Sequence, residues 1–200
     1  MRGRCPQPNA APRRNDCAHC FTSGMAMDTS SSTPDPAPAP EAPREERLTT
    51  IAEQVAAIDL LVSLARERIC VFDGDLSRGA WETAARADAL ATFLRTAPNA
   101  RLDIIVHDTR WTETSCARLT ALLRRFGHAM TLYKTGPGAH GAMDPLVIVD
   151  GRHYLHRYHL DQSRATLAID MPAGARPLVT RFEEIWATGE PGLTGTVLGL

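Results

Sequence analysis

Apolar residues first recur with a helical period at Leu48, Ile51, Val55, Ile58, Val62 and Ala65, spacings that predict an amphipathic helix. Thr50 followed by Glu53 supplies a capping box at its start. The run Ile69-Cys70-Val71-Phe72, closed by Asp73-Gly74-Asp75, reads as a buried strand ending in a turn. Ser77 is then expected to cap a second helix carrying Trp81, Leu90, Phe93 and Leu94, which stops before Pro98-Asn99. A strand over Leu102 to Val106 follows. A third helix opening at Thr109 or Thr112 puts Cys116, Leu119, Leu122, Leu123 and Phe126 on one face, with Gly127 as its C-cap.

Beyond Met130 to Tyr133, a third strand, the helical period gives way to a glycine-rich loop, Gly136 to Gly141, and a cluster of short strands. These are Leu146 to Val149, His153 to His159 across a Gly151-Arg152 turn, and Ala165 to Ile169. Pro177 is expected near the first turn of a last helix burying Leu178, Val179, Phe182, Ile185 and Trp186. Helix-separated early strands demand parallel pairing, whereas the later, turn-linked ones can pair antiparallel. The predicted fold class is therefore α/β, a mixed β-sheet flanked by helices on both faces.

Residues 1–46 show no such period and hold eight of the 14 prolines, with a Pro/Ala/Ser run from Ser30 to Pro40, so a disordered tail is expected there. Met25 and Met27 leave open that residues 1–24 are untranslated. A single domain then occupies 47–200. The net charge of −1 is evenly distributed, with 17 basic and 17 acidic residues from Arg47 onward, which disfavours a generally basic nucleic-acid binder without excluding a local site. The five cysteines are three in the tail (Cys5, Cys17, Cys20) and two in apolar segments (Cys70, Cys116), unlike a secreted disulfide framework. Without an apolar leader or spanning segment, a cytoplasmic location and no membrane contact are expected. The arginine and alanine bias suggests a GC-rich bacterial genome.

Met143-Asp144-Pro145-Leu146-Val147-Ile148-Val149-Asp150-Gly151, a returning strand and the terminal Phe182-x3-Trp186 helix resemble one half of the phospholipase D superfamily over most of residues 48–190. Active members carry H-x-K-x4-D: a histidine attacks phosphorus, lysine and a downstream asparagine neutralise its oxygens, and the aspartate supports the site. The resemblance puts the aspartate at Asp150, the nucleophile at Met143, the lysine at Pro145 and the asparagine at Leu160. A thioether, a proline and an alkyl chain cannot perform those roles. Active enzymes also combine two halves, and this chain has the length of one, so a working site would require a homodimer.

The resemblance thus implies a degenerate half domain that does not catalyse but binds a phosphate-bearing ligand or a protein partner. A phosphodiesterase using His140 near Asp150, acting as a homodimer, is the alternative, and a purely structural assembly module is a third reading. Arg152, Arg157 and His159 are the anion-binding candidates, because guanidinium groups bind phosphate in bidentate fashion. Alternation along a strand sends His153 and His159 to one face and His156 to the other, so no metal site is expected there. Cys17-Ala18-His19-Cys20 is only half a zinc site. Asp73, Asp75, His107 and Asp108 end strands where α/β sheets place ligands, but a turn that caps the next helix is the favoured reading of Asp73 and Asp75, and no spacing establishes that the four meet. No nucleotide-loop or metalloprotease motif is present, and no cofactor is expected.

Overall fold

A computed structural model describes residues 42–193, which form an eight-stranded mixed sheet with helices on both faces, as the sequence predicts. Residues 1–41 of the tail expected over 1–46, with its Cys17 to Cys20 cluster, lie outside the described residues. The strands are β1 (Arg44–Leu48), β2 (Arg68–Asp73), β3 (Arg101–Val106), β4 (Met130–Lys134), β5 (Leu146–Val149), β6 (His153–Arg157), β7 (Ala165–Ile169) and β8 (Glu190–Pro191). The helices are α1 (Ile51–Leu64), α2 (Ala84–Thr96), α3 (Arg110–Ser115), α4 (Ala117–Arg125) and α5 (Pro172–Trp186). Across the sheet the order is β1-β7-β6-β5-β2-β3-β4-β8. β2, β3 and β4 run parallel, while β5 returns antiparallel against β2 and begins an antiparallel half.

Alternation along β2 divides the core. Ile69 and Val71 face the layer containing α1, α2 and α4, and Cys70 and Phe72 face α5. α5 covers its side with Ala175, Phe182 and Ile185, and Trp186 stacks on Tyr133. α1 begins as expected: Thr50 Oγ1 accepts the Glu53 N–H while Glu53 Oε2 accepts the Thr50 N–H at 2.9 Å.

Several elements depart from the expectation. β1 runs across residue 46, where the tail was expected to end. Its first four residues are exposed, so no apolar alternation marks it, and its place is set by backbone pairing with β7. The segment after Ser77 is a tight loop and the helix begins at Ala84, because Leu76 and Ala80 adopt left-handed φ values of 69° and 53°. The third helix breaks at Cys116 into α3 and α4. β6 stops at Arg157, two residues short of His159. α5 starts with Pro172 in its first turn, leaving Pro177 inside the helix.

Candidate functional site

The ends of β2, β3 and β4 define an upper sheet edge, and because β5 is antiparallel, the segment entering it lies there as well. Leu160 donates its N–H to the Met143 carbonyl at 2.8 Å and lines an upper cleft of about 420 Å³ with Asp73, Asp75, Arg78, His107 and Arg157. Gly74 permits the approach of Leu160: a Cβ there would meet its Cδ2 at 3.0 Å. Met143, Pro145 and Leu160, the positions where the resembled superfamily keeps its chemistry, therefore gather at one edge.

Polar groups at this edge bond chiefly to one another. Arg157 Nη2 donates to Asp73 Oδ1 at 2.6 Å, and Asp73 also accepts the Gly74 N–H. The ion pair is sequestered, with side chains 7% and 13% exposed, and burial pushes the Asp73 carboxyl above its ordinary range against the pull of Arg157. Beside it lies a small pocket of about 20 Å³ lined by Gln54, Trp81 and Arg157, room for one water, and Arg157 Nε is buried without a hydrogen bond. His107 lies between Thr135 Oγ1 on Nδ1 and the Ala142 carbonyl on Nε2, each at 2.7 Å. A carbonyl can only accept, so Nε2 carries a proton and neither nitrogen has a free lone pair for attack. Asp108 pairs with Arg110, which holds its carboxyl down to about 2. Asp75 accepts both the backbone N–H and hydroxyl of Ser77.

The sequence candidates separate in space. His140 is exposed in the loop at the upper edge, its ring 6.5 Å from that of His107. Asp150 is at the other end of β5, about 13 Å of strand away. With Gly151 it forms a two-residue turn at φ values of 52° and 65°. Its carboxylate accepts the backbone N–H groups of Arg66, Glu67 and Arg68, each at 2.8 Å. Asp150→Ala is accordingly expected to cost about 1–3 kcal/mol in urea unfolding, since three donors lose their acceptor. A loss below about 0.5 kcal/mol would contradict this structural role.

The anion candidates do not assemble either. Arg152 lies at the lower edge paired with Asp170, whereas Arg157 is about 16 Å along β6 and committed to Asp73. His159 Nδ1 accepts the Asp161 N–H. Arg157 is the functional-region residue whose setting the sequence concealed: its strand position suggested solvent, but its guanidinium is interior. Among the described residues no three His, Cys, Asp or Glu side chains gather as a metal-binding group, and no helix is long and apolar enough to cross a membrane. Burial raises both Cys70 and Cys116 to about 12, which makes them poor nucleophiles.

Solved structures with the same fold include TrmBL2, an archaeal chromatin protein with a novel mode of DNA binding, at TM-score 0.56 and 12% identity. The match covers 74% of this chain and 54% of TrmBL2, so the chain spans about half of that protein. Nuc from Salmonella typhimurium, a phospholipase D family member, matches at TM-score 0.52 and 13% identity over 76% of this chain and 100% of Nuc. NucT from Helicobacter pylori matches at 0.53 and 11% identity, with coverage of 76% and 100%. No curated protein is significantly similar to the chain. The fold is phospholipase D-like, as the motif resemblance implied. A family model described as a domain of unknown function, DUF7931, matches residues 50–194, and the chain belongs to that family.

Proposed function

We propose that this domain is a non-catalytic phospholipase D-like module that acts by binding a phosphate-bearing ligand. The supporting observation is the convergence of Met143, Pro145 and Leu160 at one edge, where the neighbouring polar groups His107 and Arg157 are already bonded within the protein. Catalysis of phosphoryl transfer requires groups free to meet the developing charge. The full chain is expected to hydrolyse bis(4-nitrophenyl) phosphate no faster than buffer, with His140→Ala indistinguishable.

His140 favours the alternative phosphodiesterase reading, since it is exposed beside the same edge. Metal-independent turnover abolished by His140→Ala would establish that reading, with a homodimer supplying the second half-site. A protein partner or an assembly role takes precedence if no phosphate compound shifts the unfolding temperature. Met143 and Tyr158, the exposed large hydrophobic residues among those described, are where such a partner would be sought.

A further inference from the structure

At one end of the sheet β1 presents a free edge. Which of its backbone groups face outward follows from the ladders beside it. Tyr158 donates its N–H to the Arg164 carbonyl and Arg157 to the Pro145 carbonyl, so even-numbered residues of β6 bond to β7 and odd-numbered ones to β5. Through the pairing of Tyr154 with Ala168 and His156 with Thr166, β7 then turns Ala165, Leu167 and Ile169 towards β1. These stand opposite Leu48, Glu46 and Arg44. The N–H and C=O groups of Glu45 and Arg47 therefore point away from the sheet, and both residues are exposed. Their side chains share the α5 face with Ala168.

A second copy of the chain fits this edge in one register. A two-fold axis normal to the sheet joins two β1 strands antiparallel and keeps each residue on its own face, so outward-facing residues must oppose one another. With Glu45 opposite the partner's Glu45, like charges meet and Arg47 falls opposite the partner's Pro43, which has no N–H. With Arg47 opposite the partner's Arg47, like charges meet again and Glu45 falls opposite the partner's Thr49. The Thr49 N–H is already donated to Glu53 Oε2 at 2.8 Å. With the axis at Glu46, Glu45 faces the partner's Arg47 and Arg47 faces the partner's Glu45. Each strand then donates twice and accepts twice, and both cross-strand pairs carry opposite charges. The cost is Glu46 opposite the partner's Glu46 on the α1 face, with Arg44 of each strand diagonal to it.

We propose that two copies of this chain pair through β1, antiparallel about Glu46, and join their sheets edge to edge. The pairing uses up both β1 edges, so this contact closes at two copies. The same axis inverts strand direction and sends the two upper edges to opposite ends, so this dimer is not the one that a joint phosphodiesterase site would need. It goes beyond the phosphate-binding reading and does not depend on it.

The test is sedimentation equilibrium of the full chain up to about 1 mM, because contact limited to one strand edge belongs to the weak, transient class. Arg47→Pro is expected to weaken dimerisation at least about tenfold. The N–H it removes faces away from β7, so the fold is retained, which circular dichroism would confirm. Arg47→Glu should also weaken it, and Glu45→Arg/Arg47→Glu should restore it to within about threefold, since the swap returns opposite charges to each pair. Glu46→Thr should strengthen it about threefold by removing the like-charge pair. Amide exchange at Glu45 and Arg47 should slow as protein concentration rises, while Glu46, already bonded to β7, should not respond. A monomer at every concentration would overturn the proposal, as would a dimer indifferent to Arg47→Pro. A dimer lost in Arg47→Glu and not recovered by the charge swap would overturn the register about Glu46.

Discussion

Arg157→Met is expected to destabilise the domain by about 3–5 kcal/mol at pH 7, the penalty for leaving a buried partner charge unmatched. The Asp73 carboxylate would keep one strong donor, the Gly74 N–H, in a setting almost closed to water. The loss must depend on pH, and its sign follows from burial. Burial already lifts the folded-state pKa of Asp73 above its unfolded value, and Arg157 restrains that rise. Without Arg157 the folded variant holds a proton on Asp73 that the unfolded chain releases. Its stability is therefore greatest below the unfolded carboxyl range, near 4, and falls as pH rises through the folded pKa. Urea midpoints from pH 4 to 8 should diverge from wild type towards neutrality. A uniform deficit below about 1 kcal/mol would show that Asp73 does not need its partner. Asp73→Leu/Arg157→Met should recover most of the loss, because removing both charges also removes their desolvation cost.

The second large effect is expected at Arg86, whose side chain is wholly buried although its partner Asp59 is 55% exposed. Arg86 also donates to the Val55 and Gly79 carbonyls and lies 5.2 Å from the Trp81 ring. Burial lowers its pKa, opposed by Asp59, and such a group is retained only when its donors are occupied. Arg86→Met leaves the Asp59 carboxylate solvated but strips the Gly79 carbonyl of its guanidinium donor and removes the cation–π contact. Together these should cost about 3 kcal/mol. Amide exchange in the loop from Leu76 to Trp81 should accelerate more than exchange in β3, since Arg86 ties that loop to α1. Equal acceleration in both would mean that Arg86 supports the whole domain rather than the loop. Arg86→Lys should fail to restore stability, because one ammonium cannot reproduce the planar fork that spans three acceptors.

What could be read in advance divides along physical lines. α1 was legible because its cap and apolar stripe are local, and β2 and β5 because both faces are covered, giving unbroken apolar runs. β1 was not, since an edge strand of charged residues carries no burial signal and depends on a partner far along the chain. The loop replacing the start of the second helix was hidden by left-handed backbone at Leu76 and Ala80, which neither residue type favours. At the candidate site, the resemblance assigned Met143, Pro145 and Leu160 to motif positions, and it is the fold that brings them to one edge. Local spacing could not reveal the pairing of Arg157 with Asp73, which joins residues 84 apart. The grouping of Arg152 with Arg157 failed for a simpler reason: neighbours in sequence lie far apart along an extended strand.

The pairing of β1 with β7 also orders events in time. β2, β3 and β4 meet through successive local crossovers, so that half can form from contiguous chain. β1 precedes all of them in sequence, yet its ladder joins Leu48 to Ala165 and Arg44 to Ile169. During synthesis β1 has no sheet partner until nearly the entire domain has been made, and only then does the edge of β7 become covered. Loop closure over that span costs more entropy than the local crossovers, so docking of this strand is expected late in folding. The unpaired edge of β7 is thus a transient template for intermolecular strand addition, and the charged sequence Arg44-Glu45-Glu46-Arg47 closes it with a strand poorly suited to continue aggregation.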